Sequence, residues 1–175
     1  MTTLIVFSHL RWNFVCQRPQ HLMRQLAPRF RVLYVEEPVL SVGEPQLQVR
    51  DVQPGLQVLV PHTRGAGGGV GHDQIPLLRR LLAAQLRDVR TDDTIAWFFT
   101  PMALPLLGTL RPRMVVYDCT DEWLVPHAPR EWRRRESALL KRADLVLTHG
   151  PSLYEAKRAL HPNVHHLPSG VDAAR

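Results

Sequence analysis

Between Phe7 and Ala27 the sequence reads FSHLRWNFVCQRPQHLMRQLA and crowds His9, Arg11, Trp12, Asn13, Gln17, Arg18, Gln20 and His21 into the junction of a strand and a helix. A dinucleotide-binding turn needs glycines there, so that the backbone can approach a pyrophosphate. This turn has none and offers side chains instead. Imidazole, guanidinium and amide groups suit hydroxyls and anions, and Trp12 adds an aromatic face. A second cluster, DCTDEW, sets Asp118, Asp121 and Glu122 just past an apolar run. Carboxylates so placed can orient or deprotonate a hydroxyl. The plainer alternative is that Asp118 caps the next turn and the other two are solvated.

Other segments carry weaker signals. The glycine-rich stretch at 65–71 lacks the GK[ST] ending of a phosphate loop and follows no strand–turn–helix register, which favours a surface loop over a phosphate cradle. The run REWRRRE, from Arg130 to Glu136, is either a solvated helix face or a patch for anionic lipid. No basic-aromatic motif of a nucleic-acid module accompanies it, so nucleic acid is not an expected partner. His165 and His166 are neighbours on an expected strand and point to opposite faces, which argues against a shared metal ion. Cys16 and Cys119 stand outside any CxxC spacing, as two reduced thiols would, and no structural zinc site is expected.

These groups must be positioned by regular elements. Leu4–Phe7, Val32–Val35, Thr94–Phe99, Met114–Tyr117 and Leu145–Leu147 are short apolar runs of the kind buried on both sheet faces. Leu47–Val49 and Leu56–Val60 are two further strands around a Pro54-Gly55 turn, and 163–167 is the last. Helices are expected from Pro19 to Ala27, from Ile75 to Val89, around Met102 to Leu110 and from Arg130 to Arg142. A final helix opens with Ser152-Leu-Tyr-Glu155 as a capping box. Alternation at this rhythm predicts an α/β fold, a Rossmann-like parallel sheet with helices on both faces. Right-handed crossovers then bring the carboxyl ends of the strands to one rim, where ligands of open sheets bind. His9 to Arg18, Glu36, Glu37, Thr100, Asp118 to Glu122 and His149 fall on that rim.

At 175 residues the chain suits one domain with a real core. The formal charge of +6 comes mostly from arginine, since Lys141 and Lys157 are the only lysines, and favours anionic partners. No signal peptide is visible, and no apolar run approaches the roughly 20 residues that span a bilayer. The expectation is a cytoplasmic protein, at most peripheral at the inner face of the membrane.

With the rim residues assembled, the chain resembles the start of bacterial GT-B glycosyltransferases of the group-1 type, which include many retaining cell-envelope and exopolysaccharide enzymes. A subgroup of these reads W-x-F-V-x-Q-R-P-Q-H-L, and Trp12, Phe14, Val15, Gln17, Arg18, Pro19, Gln20, His21 and Leu22 match it position by position. VVYDCTDEW is similar to that subgroup's Y-D-C-x-D-[ED] strand end, and HPNVHHLPSGVD to its approach to the interdomain linker.

The resemblance implies one half of a two-domain fold: an acceptor-side domain over 1–168, the start of a linker over 169–175, and no donor-side domain in the sequence given. It implies transfer of a hexosyl group from a nucleotide sugar to a glycan or lipid-linked acceptor, as in polysaccharide biosynthesis. The nucleotide sugar is then a co-substrate, with no cofactor and no metal, and the isolated chain is expected to be inactive. Asp118, Asp121 and Glu122 are the catalytic candidates. His9, Arg11, Trp12, Gln17, Arg18, Gln20, His21 and His149 are the substrate-binding candidates, with Gln20 and His21 alternatively locking the turn. The alternatives are a stand-alone sugar- or membrane-docking module and a sugar-nucleotide epimerase of the same fold.

Overall fold

Leu4, Ile5, Val6 and Phe7 are buried to within 1% of full enclosure, and they form the middle of β1 (Thr3–Ser8). The computed structural model describes residues 1–64, 70–108, 110–124 and 127–170. Two sequence expectations, the core of the glycine-rich stretch at 65–69 and the linker residues 171–175, lie outside them.

After β1 come α1 (Arg18–Leu26), β2 (Arg31–Glu36), β3 (Val39–Leu40), β4 (Gln46–Gln53) and β5 (Leu56–Thr63). The chain continues through α2 (Ile75–Gln85), β6 (Thr94–Phe98), a 3-10 segment (Pro101–Leu107) and β7 (Met114–Cys119). It ends with α3 (Arg130–Arg142), β8 (Leu145–Thr148), α4 (Pro151–Arg158) and β9 (Val164–His166). One sheet contains all nine strands, in the order β3-β5-β2-β1-β6-β7-β8-β9, with β4 paired to β5. Every pairing is parallel except β4 with β5. The fold class is therefore the expected α/β one, with an antiparallel hairpin added at one edge.

Strand alternation divides the core in two. Ile5, Phe7, Leu33, Tyr117 and Cys119 face the layer of α2, the 3-10 segment and α3. Leu4, Val6, Val32 and Tyr34 face α1, through Met23 and Ala27. Phe7 and Phe98 stack at 4.8 Å between ring centroids across the β1–β6 pairing. Burying side chains of this size stabilises the fold by about 1.5–3 kcal/mol each.

Turn chemistry explains the departures in detail. Gly55 has φ +80, and a Cβ there would meet the Ala27 carbonyl oxygen at 2.5 Å, so only glycine lets the hairpin turn pack beneath the end of α1. Pro105 lies inside the expected Met102–Leu110 helix, and the segment adopts 3-10 geometry instead. The expected capping box at Ser152 does not form. Pro151 suits the first helical position, so α4 starts one residue earlier, with Gly150 as its N-cap.

Candidate functional site

The strand order reverses direction about β1, with β2 on one side and β6 on the other. Outside the carboxyl ends of β1, β7 and β8 lies a cleft of about 660 Å³. Its walls are His9 and Leu10 after β1, Cys16 to Pro19 and His21 at the start of α1, Thr120 and Asp121 after β7, His149 after β8, and Ser169 and Gly170.

Arg18 is the first residue of α1, and its side chain is folded inward, 6% exposed. Its Nε donates to Asp118 Oδ1 at 2.9 Å and its Nη1 donates to the Leu167 carbonyl at 2.7 Å. Its Nη2, though buried, has no partner among the described residues. Asp118 is fully buried; its second oxygen, Oδ2, has no well-formed hydrogen bond among the described residues, and the Trp97 side chain is near enough to favour the charged carboxylate. Burial raises the Asp118 pKa, and the Arg18 guanidinium opposes that rise. A guanidinium so held keeps a fixed orientation at the cleft wall, with its Nη2 amino group unused.

Three more groups converge there. His9 Nε2 lies 3.7 Å from Asp121 Oδ2, and its ring meets Trp123 edge-on at 6.2 Å between centroids. Burial lowers the His9 pKa, with the Asp121 charge opposing it, so the imidazole is neutral near pH 7. His9 Nδ1 and His149 Nδ1 are both buried without a well-formed hydrogen bond among the described residues, although the Phe99 backbone is near enough to the His9 ring to favour its charged form. The α1 amino terminus adds its partial positive charge.

Several candidate residues stand elsewhere. Trp12 was expected to line the cleft, but it is 5% exposed and packs edge-on against Tyr34 at 5.0 Å, with Arg24 over its other side. It belongs to the core. Arg11 points away from the cleft, donating to Glu36, to the Glu37 carbonyl and to the Pro38 carbonyl. Glu36 also accepts the Trp12 backbone N–H at 2.8 Å, so these two side chains fasten the β1–α1 loop to β2. Gln20 accepts the Gln17 backbone N–H and donates to the Arg11 carbonyl, which locks the turn. His21 faces the cleft beside Cys16, its Nε2 3.5 Å from the thiol sulfur.

The three acidic candidates separate in the same way. Asp118 does not reach the cleft surface; Arg18 covers it. Glu122 is bound by Lys157 Nζ at 2.6 Å. Of the three, Asp121 alone lines the cleft.

Lys157 was not among the sequence candidates. It is fully buried on the opposite sheet face, and it also binds Glu136 at 2.9 Å, which accepts the Tyr117 hydroxyl at 2.8 Å. In a chain that places arginine almost everywhere, an isolated lysine within a helix was the available signal.

Neither a protein-family model nor a curated protein matches the sequence. Solved structures match the fold. Sucrose-phosphate synthase from Thermosynechococcus elongatus superposes with a TM-score of 0.72 at 11% identity, over 98% of this chain and 49% of that one. The fold is Rossmann-like, as in one half of the GT-B fold. A trehalose-6-phosphate structure from E. coli bound with UDP-2-fluoro glucose gives 0.58 at 13% identity, over 91% of this chain and 42% of that one. An α,α-trehalose-phosphate synthase (UDP-forming) from Burkholderia xenovorans in complex with glucose-6-phosphate gives 0.51 at 14%, over 90% and 41%. The chain thus spans about half the length of these GT-B enzymes.

Among the described residues no group of three or more His, Cys, Asp and Glu side chains could hold a metal ion, and no helix is long and apolar enough to cross a membrane.

Proposed function

We propose that the chain is the acceptor-side half of a bacterial group-1 type glycosyltransferase, which moves a hexosyl group from a nucleotide sugar to a glycan or lipid-linked acceptor. The observation that carries this reading is the Arg18 guanidinium. It is buried, oriented by Asp118 and Leu167 at the wall of a rim cleft, and left with its Nη2 amino group unused. A fixed donor at a helix amino terminus suits a phosphoryl oxygen of the acceptor or donor.

In transfer, the acceptor hydroxyl oxygen bonds to the anomeric carbon as the bond to the nucleoside diphosphate breaks. The hydroxyl proton needs a base. His9, neutral at pH 7 and backed by Asp121, has that capacity, with the carboxylate steadying the imidazolium that forms. Asp118 acts as a positioning residue through Arg18, and Glu122 holds the loop after β7 through Lys157. The positive charge of Arg18 and the helix terminus stabilises the departing diphosphate. The glucose-6-phosphate and UDP-2-fluoro glucose bound in the structural neighbours support sugar phosphates and nucleotide sugars as the first ligands to try.

The test is calorimetric titration of the chain with glucose-6-phosphate and UDP-glucose, alone and as Arg18→Gln. Saturable binding of either ligand that Arg18→Gln weakens about tenfold or more is the expected result. Absence of binding by any sugar phosphate or nucleotide sugar in a broad panel overturns the reading. A second reading, a sugar-binding module without catalysis, is favoured by one observation: Asp118 and Glu122 are both consumed in ion pairs. Transfer by the chain joined to a donor-side domain, lost in His9→Gln, would exclude it.

A further inference from the structure

Away from the cleft, α3 presents Arg130, Arg134 and Lys141 to solvent. Spacings of four and eleven residues are close to whole helical turns, so the three cations form one stripe. None has an acidic partner among the described residues; the nearest candidate, Glu131, is already bound by Arg135 at 2.6 Å. Beside this stripe runs a groove of about 520 Å³ between α2, the 3-10 segment and α3, with Ile75, Pro76, Leu104, Pro105 and Ala138 in its lining and Arg134 at its edge. Arg79, the cation on the opposite wall, is spent on the Pro105 carbonyl.

Uncompensated arginines beside an apolar groove match a surface that pairs negative charge with hydrocarbon. We infer that this face docks the protein on an anionic phospholipid membrane, with Arg130, Arg134 and Lys141 against headgroup phosphates and the groove against the glycerol and upper acyl region. Nucleic acid fits less well, because the groove offers one imidazole, His72, and no Phe, Tyr or Trp ring on which successive bases could stack. The inference is independent of the transfer reading, since no residue of the cleft takes part.

The test is flotation with vesicles of phosphatidylcholine containing about a third phosphatidylglycerol, against pure phosphatidylcholine, from low to high salt. Binding to the anionic vesicles alone, falling as salt rises, is expected. A net positive protein adheres to anionic vesicles generally, so the decisive comparison holds charge constant. R130E/R134E should lower partitioning on the order of tenfold or more, while R29E/R87E, with the same change in charge at other exposed sites, should lower it far less. A138D, which puts one carboxylate into the groove, should weaken binding more than R87E, although R87E changes the net charge by more. Thermal unfolding of each variant confirms that the folded protein is compared. Equal binding to neutral vesicles, no binding at low salt, or equal losses in the two double variants overturns the inference. So does capture by polyglutamate or RNA without vesicle binding.

Discussion

Strand β7 carries an ion pair on each of its faces, and the two differ in one respect. On one face, Lys157 Nζ binds both Glu122 and Glu136, and Glu136 Oε1 accepts from Tyr117 as well. That network ties α3 and α4 to the sheet and contributes no residue to the rim cleft. On the other face, Arg18 and Asp118 make one hydrogen bond to each other and leave Arg18 Nη2 and Asp118 Oδ2 without a well-formed hydrogen bond among the described residues. Burying an ionised group costs several kcal/mol unless its hydrogen-bonding capacity is used. The Lys157 network meets most of that cost internally, with only Glu136 Oε2 left over. The Arg18 pair leaves part of it unmet in a residue that also lines the cleft. Each network sets a buried cation against a buried carboxylate, and the unused donor is what separates a binding group from a brace.

The largest effect that this comparison predicts is on Lys157. Lys157→Met strands Glu136 without its cation and should lower unfolding free energy by about 3–5 kcal/mol in urea melts. A loss below about 1 kcal/mol would show that the network is not a brace. Asp118→Asn keeps an acceptor for Arg18 Nε, so its stability cost should be smaller, about 1–3 kcal/mol, while sugar-phosphate affinity falls with it. Unchanged affinity in a folded Asn variant would remove Asp118 from the positioning role.

Arg18→Lys retains charge but not the planar fork, and should weaken sugar-phosphate binding about tenfold while the unfolding midpoint moves by only a few degrees. A large drop in the unfolding midpoint, with sugar-phosphate affinity unchanged at temperatures where the variant is still folded, would make the two networks equivalent.

The next effect concerns pH. His9 has its pKa lowered on folding from the usual 6.5, so the unfolded chain binds more protons in the window just below 6.5. Its contribution to stability is complete above pH 6.5 and is lost as the pH falls through that window. His9→Gln should flatten that part of the stability profile. A slope of the opposite sign would contradict the burial of the neutral ring.

The smallest effect is chemical. Cys16 is half-exposed in the cleft wall, whereas Cys119 is buried with its thiol pushed up to about 12. Iodoacetamide on the folded protein should modify Cys16 alone, and saturating glucose-6-phosphate should slow that reaction. Equal labelling of both would mean that the β7 faces are not as closed as described.

Much of the frame was legible in the residues. Continuous apolar runs such as Leu4–Phe7 and Met114–Tyr117 mark central parallel strands because both sheet faces are covered. Two-residue β3 carries no periodicity to detect, and the antiparallel pairing of β4 depends on the Gly55 turn closing beneath α1. In the site, chain position identified the rim but not which way a side chain turns. Trp12 and Arg11 looked suited to the cleft by type, and each is drawn inward by a partner, Tyr34 or Glu36, that only the tertiary fold supplies. Arg18 and Asp118 were both candidates by residue type. The pair itself spans a hundred positions, a distance that local patterns do not bridge.

That distance also orders events during folding. Arg18 reaches Asp118 across 100 residues and the Leu167 carbonyl across 149, so α1 can be wound long before its first side chain has anything to hold. Closing loops of that length costs entropy and delays the contacts that depend on them. The cleft is therefore among the last features to assemble, although one of its walls is synthesised about a hundred residues before the next. A chain that can grip a phosphate through Arg18 is one that has already completed its sheet.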